Sequence, residues 1–293
     1  MFKFRHLLLL LALASPFASA MKAVFWQPQL RDSSVTAARW QALMIDLRHS
    51  GFDTLVLQWT AYGDAFTDDA QRAALQQRAE DARAAGLKVI VGLHADPEFF
   101  QRQAQSGAAR THYLARLRVA DIIRAKAWQG RADGWYISAE IDDLNWRSGA
   151  AREQLVDWLT STRRQLAGVS PAPVYISSFF AGNMTPDGYR QLVADVAGAG
   201  IKVWVQDGRG VDKLTPEERQ RYLTASAGCG GSAPASGVVY EIFRTLPGSA
   251  FRAAPLPEPE LNARLKQGAS CGKESLYFSL RYLPAARGVL DAS

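Results

Sequence analysis

The chain has 293 residues, 48% of them hydrophobic, a formal charge of +6 and two cysteines. That length suits one large barrel domain or two small domains, with a sizeable core. Arginines such as Arg116, Arg118, Arg124, Arg163 and Arg164 are spread through helix-like segments rather than clustered among aromatics, which argues against a nucleic-acid surface and leaves an acidic polymer as a candidate partner.

Residues 1–20, MFKFRHLLLLLALASPFASA, place Lys3 and Arg5 before an apolar run and close on Ala18-Ser19-Ala20, the pattern of a secretory signal peptide. The run is too short to span a bilayer, and no later segment supplies about twenty consecutive apolar residues. The mature domain is therefore expected over residues 21–293, periplasmic or secreted, without stable membrane insertion. No cysteine adjoins Ala20 to carry a lipid anchor. Losing Lys3 and Arg5 lowers the charge from +6 to +4. In an oxidising compartment Cys229 and Cys271 are expected to form one disulfide.

Eight β-branched or aromatic runs then recur: KAVFW (22–26), TLVLQW (54–59), KVIVGL (88–93), GWYISAE (134–140), PVYISS (173–178), KVWVQD (202–207), VVYEIF (238–243) and LYFSL (276–280). Amphipathic stretches with helix punctuation lie between them. SSVTAARWQALMIDLRHSG offers Ser34 as a cap and Gly51 as a stop, and TDDAQRAALQQRAEDARAAG stops at Gly86. Strands alternating with helices, and nearly continuous apolar strands, specify a parallel sheet covered by helices. Eight such units predict an α/β fold, a single (β/α)8 TIM barrel. A doubly wound open sheet ranks second, because FWQPQL rather than G-x-G-x-x-G ends the first strand. Only RYLPAARGVLDAS remains after the eighth strand, so the last helix is expected to be reduced or missing.

In such a barrel the loops after the strands build the active face. That rule gathers Trp26 and Gln27, Gln58 and Trp59, His94 and Asp96, Glu140 with Asp142 and Asp143, Ser178 and Phe179, Gln206 and Asp207, Glu241 and Arg244, then Ser279 and Arg281. Polar groups and aromatic planes alternate there, as a sugar site requires: hydroxyls meet amides and carboxylates, and the C–H faces of a pyranose meet aromatic rings. Trp59, Tyr62, Trp146 and Phe179 are the stacking candidates. Strand alternation puts Tyr136 and Ser138 on the same side as Glu140.

Glycoside cleavage needs one carboxyl to protonate the leaving oxygen and a second to attack the anomeric carbon or to activate water. Glu140 ends the fourth strand and Glu241 the seventh, across the barrel mouth, where a retaining separation of roughly 5 to 5.5 Å is feasible. This order resembles the superfamily of retaining barrel glycosidases, whose acid/base glutamate ends the fourth strand and whose nucleophile ends the seventh. The resemblance implies Glu140 as acid/base and Glu241 as nucleophile. Ala139 stands where that superfamily usually has asparagine. The pieces GFDTLVLQWT, GWYISAEIDDLNW and VWVQDGRGVDKLT further resemble an uncharacterised bacterial family of secreted, glycosidase-like barrels labelled a domain of unknown function, which implies processing of an exopolysaccharide.

Other roles stay open for the remaining acids. Asp142 and Asp143 could bind sugar hydroxyls, cap the following segment or replace Glu241. Asp207 could pair with Glu140 in an inverting geometry, or form an Asp-Gly turn. Glu241 could instead pair with Arg244 or Arg281. His49, His94 and His112 sit at no ligand spacing, so no metal and no cofactor is expected. His94 is expected to donate to substrate or to support a neighbour. No G-x-S-x-G elbow points to a serine hydrolase. Two function classes follow: a glycoside hydrolase acting on a bacterial polysaccharide, or a non-catalytic polysaccharide-binding protein, with polysaccharide export machinery as a candidate partner.

Overall fold

The computed structural model describes residues 20–230, 233–248, 252–269, 271 and 273–290. The expected leader therefore lies outside the described residues, apart from Ala20.

Eight parallel strands close into a barrel: β1 (Lys22–Trp26), β2 (Thr54–Leu57), β3 (Lys88–Gly92), β4 (Gly134–Asp142), β5 (Val174–Phe179), β6 (Lys202–Gln206), β7 (Gly237–Glu241) and β8 (Glu274–Phe278). Each pairs with its sequence neighbours, and β8 closes on β1 in the register Lys22–Ser275, Ala23–Leu276 and Val24–Tyr277. Seven main helices wrap them: α1 (Ala37–His49), α2 (Asp69–Ala84), α3 (Gly107–Ala127), α4 (Gly149–Ala167), α5 (Pro186–Gly198), α6 (Pro216–Ala227) and α7 (Glu258–Lys266). After β8 the described chain makes 3₁₀ turns, Leu280–Tyr282 and Pro284–Ala286, in place of a last α-helix.

Local chemistry sets the helix ends. The side chains of Thr36, Asp68, Ser148, Thr185 and Thr215 each accept a hydrogen bond from the backbone N–H three residues on, satisfying a donor that the first turn leaves free. Ser34 is not the cap of α1, because the chain first makes a 3₁₀ turn over Leu30–Ser34. Gly51 and Gly86 take left-handed φ of 83° and 89° just beyond α1 and α2, the conformation glycine reaches without steric cost.

Alternation divides the side chains into two cores. Phe25, Val56, Ile90, Tyr136, Tyr175, Trp204, Val239 and Leu276 point inward and fill the barrel. Trp204 stacks on Tyr175 at 4.4 Å and on Tyr136 at 5.7 Å, while Phe25 meets Tyr136 edge-on at 5.4 Å. The interior is thus a packed plug rather than a pore. Their outward neighbours, such as Val24, Leu55, Val89, Ile137, Ile176 and Val205, pack beneath the helices. Two residues above each inward plug residue, the next inward position opens on the C-terminal mouth: Gln27, Gln58, Gly92, Ser138, Ser177, Gln206, Glu241 and Phe278.

Two features at the mouth depart from a regular barrel. β4 is three or more residues longer than its neighbours, and its register with β5 shifts between Ile137 and Glu140. The bulge sets Glu140 opposite Ser177, while the Ser138 hydroxyl donates to the Gln58 carbonyl at 2.6 Å. At Gly92 the neighbouring strand comes so near that a Cβ would lie 2.2 Å from the Gln58 carbonyl oxygen. Above the barrel Ala61–Tyr62 pairs with His94–Ala95, and Phe243–Thr245 forms a hairpin with Ala253–Pro255.

Cys229 and Cys271 form the expected disulfide, with Cα atoms 5.4 Å apart. It joins the segments entering β7 and β8, at the end of the barrel opposite the mouth. Among the described residues no helix is long and apolar enough to cross a membrane.

Candidate active site

A cavity of about 660 Å³ opens at the C-terminal ends of the strands. Of the side chains expected there, Gln27, Gln58, Trp59, Tyr62, Tyr136, Glu140, Phe179, Gln206 and Glu241 line it. Phe25, Val239 and Phe278 form its floor, and the walls are aromatic on two sides. On one side Trp59 and Tyr62 lie 4.8 Å apart, the indole fixed by a hydrogen bond to the Pro28 carbonyl at 3.2 Å. On the other, Phe100 and Phe179 lie 6.1 Å apart.

The two glutamates occupy different environments. Burial pushes the Glu140 carboxyl up to about 7, against a hydrogen bond from Gln206 that favours its ionised form. Glu241 is 3% exposed. One of its oxygens accepts from the backbone N–H of Gly210 at 2.5 Å and of Val211 at 3.2 Å. Burial and the Asp207 carboxylate behind it raise its pKa; the two N–H groups pull the other way, and the charge of Glu140 adds a smaller upward push. The charge of Glu140 is thus felt at Glu241, within one electrostatic neighbourhood. Beneath them the Tyr136 hydroxyl lies 2.7 Å from that of Ser177. Burial first, and then Glu140, holds this phenol well above its ordinary range, so it stays protonated.

Ten of the expected site residues do not line the cavity; Ser178 and Ser279 sit one position from an inward side chain, and strand parity, a local bond or solvent exposure accounts for the other eight. Trp26 points outward from β1 and packs on Trp40 of α1 at 4.4 Å. Asp207 also faces away from the mouth. It accepts from Arg264 at 2.5 Å and from the backbone N–H groups of Arg209 and Glu241 at 3.2 Å, so it backs Glu241 instead of pairing with Glu140. Burial raises Asp207, opposed chiefly by Arg264.

Asp142 accepts from the backbone of Leu144 and Asn145, from the Asn145 side chain, and from Gln103 at 2.8 Å. Trp146, fully buried, donates its indole N–H to the same Gln103 at 2.9 Å. Asp143 accepts from Ala181, Asn183 and Met184, at 2.8 to 3.3 Å, which ties the loop after β4 to the loop after β5. These two carboxylates organise loops; neither takes the place of Glu241.

His94 is bonded through its backbone N–H to Asp121 at 3.1 Å, and burial holds its imidazole below the ordinary value. Arg244 is exposed on the hairpin after β7. Arg281 is buried, donates to the Gln27 carbonyl at 3.0 Å and pairs with Asp32, so it fixes the loop that carries Gln27. Glu241 therefore pairs with neither arginine.

Several lining residues lay outside the expected set. Ser177 and Phe278 are the inward neighbours of Ser178 and Ser279, and continuing the alternation from Tyr175 and Leu276 identifies them. Phe100 reaches the cavity from the short helix Phe99–Arg102, Tyr282 from the 3₁₀ turn Leu280–Tyr282 and Lys213 from the loop after β6, segments whose course no strand periodicity encodes. Among the described residues no cluster of three metal-ligating side chains occurs.

A family model described as Domain of unknown function (DUF4434) matches residues 21–288. The uncharacterized protein YbcH of Escherichia coli (strain K12) is 60% identical over 293 residues, 99% of each chain. Among solved structures, a putative alpha-L-fucosidase from Bacteroides thetaiotaomicron VPI-5482 superposes with a TM-score of 0.65 at 14% identity, over 89% of this chain and 88% of that one. A GH18 chitinase from Pseudoalteromonas aurantia gives 0.51 at 12% identity, over 92% of this chain and all of that one. A beta-galactosidase from Rahnella sp. R3 gives 0.56 at 11% identity, over 90% of this chain and 51% of that one. At these identities the likeness is one of fold, the TIM barrel that these glycoside hydrolases share.

Proposed function

We propose that this chain, which belongs to the Domain of unknown function (DUF4434) family, is a periplasmic or secreted glycoside hydrolase acting on a bacterial exopolysaccharide. One observation carries the reading: glutamates from the ends of β4 and β7 line one aromatic-walled cavity, both raised by burial, Glu140 with a hydrogen bond from Gln206 and Glu241 with two backbone N–H groups that favour its ionised form. Pairs of carboxyls set in unlike environments are how acid and nucleophile are told apart.

Glu140 in its protonated form donates to the glycosidic oxygen as the bond to the anomeric carbon breaks, and ionised Glu241 attacks that carbon. Glu140, now a carboxylate, takes a proton from water as the water displaces Glu241 and releases the sugar. The retaining mechanism calls for carboxyls about 5 to 5.5 Å apart, against about 6.5 to 9.5 Å for inversion. The Gln27, Gln58 and Gln206 amides supply hydroxyl partners, and the aromatic walls supply platforms for sugar faces.

Ala139, which precedes Glu140 where retaining barrels usually carry asparagine, favours a second reading: a protein that holds a polysaccharide without cleaving it. Product release from a panel of bacterial exopolysaccharides separates the two. Release by wild type that Glu140→Gln and Glu241→Gln both abolish supports hydrolysis with retained folding checked by circular dichroism. Binding without release, unchanged by either substitution, supports the holding role.

A further inference from the structure

The loop between β6 and α6 brings a cation to the cavity that holds the two glutamates, and among the described residues it has no ion-pair partner. Lys213 lines the cavity. Its position relative to the carboxyls follows from the chain itself. Val211 donates its N–H to Glu241 at 3.2 Å, and two residues of chain reach at most about 7 Å. The Lys213 backbone therefore lies within about 10 Å of the Glu241 carboxyl, and its side chain lines the same cavity.

Among the described residues no carboxylate forms an ion pair with it. Asp212, the acid next to it in sequence, is engaged by Arg219 at 2.7 Å; Asp212 takes a left-handed φ of 51°, a conformation that side chains rarely adopt. Asp96, on the cavity wall, accepts from the Tyr113 hydroxyl and the Glu98 N–H, both at 2.8 Å. Glu241 is held by Gly210 and Val211. The neighbouring cations are committed: Arg209 to Glu260, Arg219 to Asp212 and Arg264 to Asp207. Among the described residues Lys213 is the lining cation with no ion pair or hydrogen bond. Apart from Arg219, the rest of the cavity offers carboxyls, amides, hydroxyls and rings.

We infer that the glycan carries an anionic substituent on the sugar bound at the two glutamates or on the sugar next to it, and that Lys213 recognises that group. This rests on the glycoside hydrolase reading and narrows its substrate to acidic polysaccharides. The shared chemistry is one negative charge presented by a pyranose, whether as the carboxylate of a uronic acid or as an acidic ester or ketal added to a neutral sugar. An ammonium on a flexible stem suits such a point charge, and it meets the charge at the rim, above the carboxyls that would repel it.

The test uses the mature protein with one acidic exopolysaccharide and the same polymer after reduction of its carboxyl groups, which removes the charge and keeps the linkages. A desulfated or ketal-free preparation forms a second arm and distinguishes the source of the charge. Affinity electrophoresis reads binding and reducing-end release reads turnover, so the inference is decided even if no bond is cleaved. The expected result is a preference of about tenfold or more for an acidic polymer over its neutralised form, the size a hydrogen bond to a charged group gives. Lys213→Gln, at an exposed loop position, should bring that ratio close to one through KM rather than kcat, and 0.5 M salt should do the same to wild type. Equal or better binding of the neutral polymers by wild type, a ratio unchanged in Lys213→Gln, or no binding of any polymer would overturn it. Turnover of a neutral polymer with no preference for charge would leave the hydrolase reading standing while removing this inference.

Discussion

The chemistry assigned to Glu140 and Glu241 has a direct consequence for pH dependence. An ordinary carboxylic acid at neutral pH has already lost the proton it would need to donate. Burial holds the Glu140 proton to about pH 7, and burial with Asp207 also raises Glu241. The productive form has one proton on the pair, located on Glu140, so kcat/KM should be bell-shaped and centred near neutrality rather than near pH 4 to 5. Its alkaline limb should follow loss of the Glu140 proton. Glu140→Gln should remove that limb along with about 10² to 10⁴ of the rate. A profile that keeps rising with pH would exclude Glu140 as the acid.

Asp121 is a second buried acid, outside the reaction. It is fully buried against the His94 N–H, and burial pushes its carboxyl up to about 8. Because the folded pKa lies above the unfolded value of about 3.9, its stabilising contribution is complete below pH 4 and is lost as pH rises through 8. Asp121→Asn keeps an acceptor for the His94 N–H and never ionises. It should raise stability at pH 8 by roughly 1 to 3 kcal/mol relative to wild type, with the gain shrinking toward pH 4. Urea denaturation at pH 5 and pH 8 measures the difference, and an equal effect at both values would show that the carboxyl does not titrate.

At the scale of strands and loops, the sequence carried the barrel because its period is local. Eight apolar runs separated by capped helices close as alternating units, and RYLPAARGVLDAS after LYFSL, with no long amphipathic pattern, makes 3₁₀ turns among the described residues rather than a last α-helix. Parity within a strand was also readable, and it explains both the correct grouping of Tyr136, Ser138 and Glu140 and the misplacement of Trp26 and Asp207. Those two residues sit one position away from an inward side chain. What the sequence could not carry was the partner of each loop carboxylate. Asp142 and Asp143 look like site acids in GWYISAEIDDLNW until Gln103 and Asn183, about 40 positions away in each case, take up their oxygens.

The loop after β6 supports a sharper prediction. Gly210 presents its N–H to Glu241 at 2.5 Å, and a Cβ there would sit 2.6 Å from the Phe243 ring. Gly210→Ala must therefore shift the loop, weakening the donors that favour ionised Glu241. A merely structural glycine would cost stability alone. Here kcat should fall about tenfold or more, and the acid limb of the pH profile should move to higher pH, because Glu241 then holds its proton longer. An unmoved acid limb would show that the loop does not tune this carboxyl.

For the molecule as a whole, the barrel separates its stabilising end from its working end. The disulfide Cys229–Cys271 closes 42 residues that include β7, the hairpin after it and α7. These residues enclose Glu241, yet the bridge itself lies where β7 and β8 begin, away from the mouth. On the chain-entropy estimate a loop of that size is stabilised by about 4 kcal/mol. Since one kcal/mol corresponds to roughly 2 to 4 °C for a domain of this size, reduction should lower Tm by roughly 10 °C. Activity per folded molecule should stay within about twofold, because the bridge lies where β7 and β8 begin and neither cysteine lines the cavity. The paired measurement is thermal unfolding and product release with and without reductant, together with the Cys229→Ser, Cys271→Ser double variant. The proposed periplasmic or extracellular site of action gives the bridge its use: a barrel whose eighth strand is followed, among the described residues, by 3₁₀ turns is braced by a covalent link between the segments entering its final two strands, in a compartment where that link persists. An unchanged Tm on reduction would mean that packing alone holds β7 and β8, and the bridge would then contribute nothing to keeping Glu241 in place.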